Sequence, residues 1–98
     1  MKKVKEISGI NGYTVKTEKH DNEERTLYYK GEKVFLVMNK NTIEVRTDEK
    51  LGKLLCEKYE SVMESRYFGR GGIEIVLVGE QLSDEELCDL VRLSYNLS

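Results

Sequence analysis

The sequence has no proline, a single histidine and only two cysteines. It also lacks low-complexity tracts, internal repeats and linker composition, so its 98 residues are expected to form one domain spanning 1–98. No stretch approaches the roughly 20 apolar residues of a membrane-spanning helix. The N-terminal lysines are not followed by the apolar segment of a signal peptide. We therefore expect a cytoplasmic monomer that does not contact membranes.

The scarcity of histidine and cysteine limits metal and redox chemistry. Cys56 and Cys88 lie far apart within apolar patterns, so reduced, buried thiols are expected. With His20 as the one histidine, a Cys/His metal site has too few ligands. The segment that begins at His20 adds three carboxylates for a weak divalent-cation site: Asp21, Glu23 and Glu24. Charged connections of this kind are usually solvated, and the sequence predicts neither a metal site nor a cofactor.

Catalytic motifs are also missing from the chain. There is no G-x-S-x-G elbow, P-loop, G-x-G-x-x-G fingerprint or histidine pair. A Cys–His nucleophile would require His20 beside a cysteine, and both cysteines fall on predicted core faces. The carboxylates of Asp84–Glu86 are explained by the first turn of a helix, where anions are stabilised. We predict no catalytic residues and no enzymatic activity.

Hydrophobic periodicity predicts an antiparallel sheet in the first half. GYTVKTEK and TIEVR alternate with a period of two, and TLYYK and KVFLVM flank a tight connection at Gly31. In TIEVR the alternation places Ile43 and Val45 inward and Glu44 and Arg46 outward. The turn NKN at 39–41 is attributed to the tolerance of asparagine for positive φ. Connections this short join antiparallel strands.

The second half changes period twice. A helix is predicted from the N-cap Thr47 to Val62, with an apolar stripe that includes Leu51, Leu54 and Leu55. Ile73–Val78 is the most hydrophobic strand and is expected to be central. A last helix starts at a Ser83–Glu86 capping box, with a stripe of Leu87, Leu90, Val91 and Leu97 bordered by Tyr95. These elements predict an α+β two-layer sandwich of about five strands with two amphipathic helices on one face.

The order of these motifs resembles the MmcQ/YjbR-like family over roughly residues 27–97. The resemblance rests on YYKGEKVFLVM, KLLCEKYESV, and LSDEELCDLVRLSYNL, in which a D-E-E-L helix ends in Ser94–Tyr95. It implies a small "double-wing" domain, similar in shape to frataxin-like proteins. Members are often described as DNA-binding, so the resemblance also implies that function. The segment YESVMESRYFGRGGIEI departs from the family pattern because it contains neither the usual histidine nor the usual tryptophan.

The stretch RYFGRGG is the candidate binding segment. Arg66 and Arg70 are candidate phosphate contacts, and Tyr67 and Phe68 are candidate stacking platforms. The alternative is a mobile, glycine-rich turn whose arginines pair with Glu64, Glu74 or solvent. Strand alternation would place the two rings on opposite sides, which favours this turn over a nucleic-acid contact.

The charge balance bears on the class of partner. Sixteen basic and eighteen acidic residues give a net charge of −2, which does not favour the neutralisation of phosphates. Six tyrosines could fill the edges between sheet and helices, or an exposed subset of them could form a binding patch. We therefore expect a non-enzymatic module that binds an unknown protein, with DNA binding as the alternative.

Overall fold

The computed structural model describes residues 3–79 and 81–98, except the side chains of residues 3–5 and of His20. Within these residues the chain forms three helices, none of them long and apolar enough to cross a membrane, and six strands. The helices are α1 (Lys3–Ser8), α2 (Glu49–Lys58) and α3 (Asp84–Leu97). The strands are β1 (Thr14–His20), β2 (Glu23–Lys30), β3 (Lys33–Met38), β4 (Thr42–Arg46), β5 (Val62–Ser65) and β6 (Gly69–Val76).

The six strands form one antiparallel sheet in the order β1-β2-β3-β4-β6-β5. The helices cover one face, and the larger apolar core lies between them and the sheet. The predicted α+β two-layer architecture is therefore confirmed, with six strands instead of about five. The strand at Ile73 is not central, because β5 alone separates β6 from the sheet edge. It also ends at Val76, which leaves Val78 exposed.

The additional strand is β5, which the sequence analysis assigned to a helix reaching Val62. Helix α2 instead ends at Lys58, because the next residue, Tyr59, has an extended backbone (φ −124°, ψ 128°). Val62 fits a helical stripe by spacing alone, yet it is buried as the first residue of an edge strand that pairs with β6. A strand of four residues is too short for its alternation to compete with the preceding helical period.

Helix α2 begins one residue later than expected. Its N-cap is Asp48, whose carboxylate oxygen Oδ1 accepts a hydrogen bond from the Leu51 N–H at 2.8 Å. Thr47 was the predicted cap, but its own N–H donates to the Gly71 carbonyl at 3.0 Å and its side chain is buried. Thr47 is therefore held to β6 and leaves the capping role to its neighbour.

The buried face of α2 differs from the predicted leucine stripe. Leu54 is 59% exposed, whereas Gly52 is buried and Leu55 and Cys56 pack against the core. A Cβ on Gly52 would lie 2.8 Å from the Thr47 hydroxyl oxygen and 3.4 Å from Ile73 Cγ2. The glycine that weakens this helix in isolation is thus what lets it approach β6 closely.

Helix α3 starts as predicted. The Ser83 hydroxyl accepts from the Glu86 N–H at 3.1 Å, and the Glu86 carboxylate accepts from the Ser83 N–H at 3.0 Å. Further along, Leu97 is about half exposed, and fully buried Ser94 takes the core position instead. The Ser94 hydroxyl donates to the Phe35 carbonyl and accepts from the Arg46 N–H at 2.7 Å, so it joins α3 to β3 and β4.

Replacing Ser83 by alanine is expected to lower the free energy of unfolding by about 1 kcal/mol, because the Glu86 N–H loses its acceptor. Urea unfolding at neutral pH would measure the change. Asp84→Asn is the matched comparison, since it alters the first turn but keeps the cap. A midpoint for Ser83→Ala equal to that of the wild type would show that the capping box adds nothing to stability.

Positive φ values mark two places where the backbone turns sharply, the β1–β2 turn and the end of α1. Asp21 and Asn22 have φ of 51° and 67° and form the two-residue turn between β1 and β2. Glu6, Ile7 and Ser8 also have positive φ, so α1 is left-handed at its end, with Ile7 buried. The residues of the predicted NKN turn are not among those with positive φ, although they do connect β3 to β4.

The second face of the sheet carries no helix but has a small apolar cluster of its own. A β-bulge in the β2–β3 pairing, where Tyr28 pairs with Leu36 and Tyr29 with Val34, changes the side-chain alternation. Val34 and Val37 therefore lie together with Leu27 in a cluster separate from the larger core. The loop between β5 and β6, Arg66–Phe68, folds across this cluster, and we call it the β5–β6 loop.

Candidate binding site on the helix-free face of the sheet

Two glutamates occupy the centre of the helix-free face. Glu44 on β4 and Glu74 on β6 are direct cross-strand partners, and each residue is only 2% exposed. Their neighbours along the strands point to the helix-covered core, so the glutamates point the other way. Like charges opposite each other in a sheet are destabilising, and burial adds to the cost. Each carboxylate therefore requires its own set of hydrogen-bond donors.

Glu74 is neutralised by the first residue of the β5–β6 loop. The Arg66 guanidinium donates from Nε to Oε1 at 2.9 Å and from Nη2 to Oε2 at 2.8 Å. The Thr42 hydroxyl adds a third hydrogen bond, to Oε2, at 2.8 Å. Although the Arg66 side chain is 70% exposed, its partner is buried, which makes this bidentate pair a fixed anchor for the loop.

Glu44 is held by three other donors. Its Oε1 accepts from the Ser65 hydroxyl at 2.7 Å and from the Tyr67 N–H at 2.9 Å, and its Oε2 accepts from the Asn39 amide at 2.8 Å. Burial alone would raise the pKa of Glu44. The hydrogen bonds from Tyr67, Asn39 and Ser65, together with the charge of Arg66, outweigh burial and lower this pKa below its ordinary value. Glu44 is therefore ionised at neutral pH.

The aromatic residues of the loop lie on the same face. Phe68 packs against the Leu27, Val34 and Val37 cluster, and the Arg46 guanidinium lies 4.8 Å from its ring centroid. The rings of Tyr67 and Phe68 contact each other edge to face, with centroids 5.0 Å apart. The expectation that alternation separates the two rings is wrong, because Arg66–Phe68 is a turn and not extended strand.

Tyr67 is the exposed ring of the loop. It is 38% exposed, and the Arg25 guanidinium lies 5.2 Å from its centroid. Arg25 is itself paired with Glu18 through Nη2 at 2.6 Å and Nε at 2.8 Å. The turn predicted to be mobile is thus anchored along its length by Glu74, Glu44 and stacking contacts, and its first arginine does pair with Glu74 as expected.

Gly72 explains why this stretch is rich in glycine. A Cβ on Gly72 would lie 2.5 Å from the Val45 carbonyl oxygen, 2.7 Å from Phe68 Cβ and 2.9 Å from Phe68 Cδ2. No side chain fits there while Phe68 covers the sheet. Gly69 begins β6 with a φ of 64°, which glycine adopts without strain. Gly72 leaves room for the Phe68 ring and Gly69 allows the backbone to turn into β6, so no anion is required to explain either glycine.

Arg70 is separated from the other three candidate residues. It lies in β6 and lines a different cleft, beside Gly52, Lys53 and Cys56 of α2. Cys56 in that cleft and buried Cys88 are both free thiols. Burial and the nearby Glu64 and Glu57 raise the pKa of Cys56. The structure therefore brings Arg66, Tyr67 and Phe68 together and places Arg70 elsewhere.

A cleft of about 220 Å³ opens beside the loop on the helix-free face. Its lining comes from the β1–β2 turn, β2, the β3–β4 turn, β4 and the loop: Asp21, Glu23, Arg25, Asn39, Glu44 and Arg66. Over residues 3–79 and 81–98, no group of three or more histidine, cysteine, aspartate or glutamate side chains could hold a metal ion. The weak site considered around HDNEER is covered by this statement only in part, because the His20 side chain lies outside the described part of the structure.

Sequence reasoning missed the carboxylates that organise the site. Glu44 was expected to face solvent, and it does lie on the predicted face, but the β5–β6 loop covers it. A signal was present: TIEVR and GIEIV each place one glutamate between β-branched residues. Asn39 was also assigned to a turn for its φ tolerance, whereas its amide serves as a donor to Glu44 and Thr42.

The fold has a counterpart among solved structures. The crystal structure of Deinococcus radiodurans protein DR2400, described with the family-model domain DUF419, superimposes with a TM-score of 0.76 at 14% sequence identity. The match covers 96% of this chain and 74% of that one. No family model and no curated protein matches the sequence. At this identity the similarity shows the fold alone.

Proposed function

We propose that this chain is a non-enzymatic module that binds another protein through its helix-free face, centred on the β5–β6 loop. The observation that carries the proposal is the fixed placement of Arg66 and Tyr67 at the surface. Tyrosine and arginine are the residue types that dominate binding energy at protein interfaces. Residues held in place before binding lose little conformational entropy when a partner arrives.

The electrostatics of this face support a protein partner over a nucleic acid. Arg66 is paired with Glu74, and Arg25 is paired with Glu18. Arg70 is exposed and forms no ion pair in the described part of the chain. However, it lines a different cleft, beside α2. Nucleic-acid affinity depends on cations that can neutralise phosphates, and the two arginines beside the Tyr67 ring and at the start of the loop, Arg25 and Arg66, are already paired.

A capture experiment from native lysate tests the proposal. Immobilised wild type is expected to retain a specific protein, and Tyr67→Ala is expected to weaken capture at least about tenfold, the loss typical of an interface anchor. The substitution removes two ring contacts, with Arg25 and with Phe68, each worth about 0.5–1 kcal/mol, and it leaves the backbone N–H bond to Glu44, so the variant should stay folded. Leu54→Ala, which removes another exposed apolar side chain on α2, away from the loop, is the control.

Nuclease treatment separates the two classes of partner. Capture that survives nuclease and depends on Tyr67 supports protein binding. Capture of nucleic acid, or capture lost in the Leu54→Ala control to the same degree as in Tyr67→Ala, contradicts the proposed surface.

DNA binding is the second candidate. We infer it from the resemblance to the MmcQ/YjbR-like family, of which we propose this chain is a divergent member with a DUF419-like fold. The loop contributes one observation in its favour, because Arg66, Tyr67 and Phe68 lie on one face instead of being divided between two. However, Phe68 is occupied by the sheet, so one ring remains for base stacking.

A further inference from the structure

We propose that the cleft beside the β5–β6 loop receives a lysine or arginine side chain, so that the partner protein binds through a basic segment. This inference rests on the proposed function and specifies the chemistry of the partner.

The dimensions of the cleft set the size of its occupant. At about 220 Å³ the cleft is smaller than the roughly 300–1,000 Å³ of typical small-molecule and cofactor pockets. It is large enough for one long side chain and smaller than the pockets that typically enclose a nucleotide or a coenzyme. Because it opens on the same face as Tyr67 and Arg66, a chain lying on that face could insert one residue into it.

The charges of the cleft select a cation. Its two arginines are each bound by a carboxylate that is not part of the lining, Arg66 by Glu74 and Arg25 by Glu18. The lining carries three further carboxylates, those of Asp21, Glu23 and Glu44. With both arginines paired, the carboxylates of Glu23 and Glu44 give the lining negative charge that no arginine of the cleft binds. This negative charge would repel an anionic ligand, whereas it would attract an ammonium or a guanidinium group.

A buried acceptor lies at the bottom of the cleft. Glu44 is ionised, 2% exposed and still part of the lining. From the described residues its Oε2 accepts one hydrogen bond, from Asn39, while a carboxylate oxygen can accept two. Glu74 is the main cause of the raised pKa of Arg66, and Glu23 lies near enough to contribute to it, yet in the described residues Glu23 forms no ion pair. The cleft therefore has acceptor capacity that its own arginines do not use.

The same surface already binds two basic side chains of its own. Arg25 lies between the Glu18 carboxylate and the Tyr67 ring, and Arg66 is bound side-on, through Nε and Nη2, by Glu74. Carboxylates beside an aromatic ring are the chemistry that recognises guanidinium and ammonium groups. A basic residue from a partner would repeat the carboxylate pairing that Arg25 and Arg66 already make on this face.

Titration of the full chain with short peptides, followed by backbone amide shifts, tests the inference. The probes are acetyl-Gly-Arg-Gly-Arg-Gly-amide and its versions with lysine, glutamine and glutamate in place of arginine. The arginine or lysine peptide is expected to shift the amides of Asp21–Arg25 and Asn39 to saturation. The glutamine and glutamate peptides are expected to leave them unchanged at the same concentration.

Charge-matched variants locate the effect. Asp21→Asn combined with Glu23→Gln should weaken binding of the basic peptide by about five- to tenfold, since exposed ion pairs contribute about two- to fivefold each. Glu32→Gln combined with Glu57→Gln removes the same charge from exposed sites elsewhere and should change binding by less than about twofold. If both double variants weaken binding equally, the peptide responds to the net charge of the protein and not to the cleft, and the inference is wrong.

The remaining outcomes separate this inference from the proposed function. If a protein is captured through Tyr67 but no basic peptide shifts the cleft amides, the partner does not use the cleft and the inference fails alone. If the basic peptides bind while no protein is captured, the proposed function fails and the cleft stands as a cation site. If an oligothymidine shifts the same amides, both the inference and the proposed function are wrong, and the surface binds nucleic acid instead.

Discussion

Gly72→Ala is expected to lower the free energy of unfolding by about 3 kcal/mol, the upper part of the usual range for overpacking a well-filled site. The added methyl would lie 2.5 Å from a backbone carbonyl and under 3 Å from two atoms of Phe68. The carbonyl belongs to β4 and cannot move without disturbing the sheet. Phe68 must therefore leave the Leu27, Val34 and Val37 cluster, which would expose apolar surface. Urea unfolding, with the amide shifts of Leu27 and Val37 as a local probe, measures both effects.

The adjacent glycine provides the control. A Cβ on Gly71 would have the Phe68 carbonyl oxygen as its nearest neighbour, at 3.6 Å, which is ordinary van der Waals contact. Gly71→Ala should therefore change stability by no more than about 0.5 kcal/mol. Equal destabilisation by the two substitutions would show that the segment needs glycine for backbone freedom and not for the seat of Phe68.

The difference between Gly71 and Gly72 was not predictable from the sequence. RYFGRGG contains the residue types of a nucleic-acid loop and those of a glycine-rich turn, and local spacing favoured the turn. What decides the role of Gly72 is the distance to Val45 and Phe68, which depends on how β4, β6 and the loop meet. No pattern within seven residues contains that distance.

Elements with a long and regular period were predictable. β3 and β4 match their predicted bounds, and α3 starts at its capping box. β5 was missed because four residues give too few alternations to oppose a preceding helical stripe. The bulge at Tyr28 and Tyr29 was also invisible, although it determines that Val34 and Val37 face the loop. Local periodicity describes elements, whereas bulges and edge pairing depend on the assembled sheet.

The burial of Glu44 also depends on the assembled sheet and not on local periodicity. Its predicted direction within β4 was right, because strand alternation is a local property. Its burial was not predicted, since Ser65 and Tyr67, two of the residues that enclose it, are 21 and 23 positions away. The candidate residues Arg66 and Tyr67 were found from the sequence, but the carboxylates that fix their positions were not.

Glu44→Gln is expected to lower the free energy of unfolding by about 2 kcal/mol at neutral pH, since hydrogen bonds to a charged group contribute about 1.5–3 kcal/mol. The amide keeps the size of the side chain, but one of its two ends becomes a donor. If its oxygen accepts from Ser65 and Tyr67, its NH₂ group faces the Asn39 amide, which is also a donor. The β5–β6 loop should loosen, and the Tyr67 amide is the local probe.

The pH dependence identifies the charge as the cause. The pKa of Glu44 is lower in the folded protein than its ordinary value of 4.5, so the unfolded chain binds the proton first on acidification. The stability contributed by the ionised carboxylate is present above that ordinary value and is lost as pH falls through the folded pKa. The difference between wild type and Glu44→Gln should therefore be largest near neutral pH and shrink as pH falls below 4.5.

Urea unfolding at a series of pH values from about 7 to about 3 measures that difference. Glu57→Gln, at an exposed position on α2, should stay within about 0.5 kcal/mol of the wild type at neutral pH. A Glu44→Gln deficit that stays constant down to the lowest pH would mean that shape, and not charge, is what the variant loses. The Glu44 carboxylate would then fill space beneath the loop without holding it by ionic hydrogen bonds.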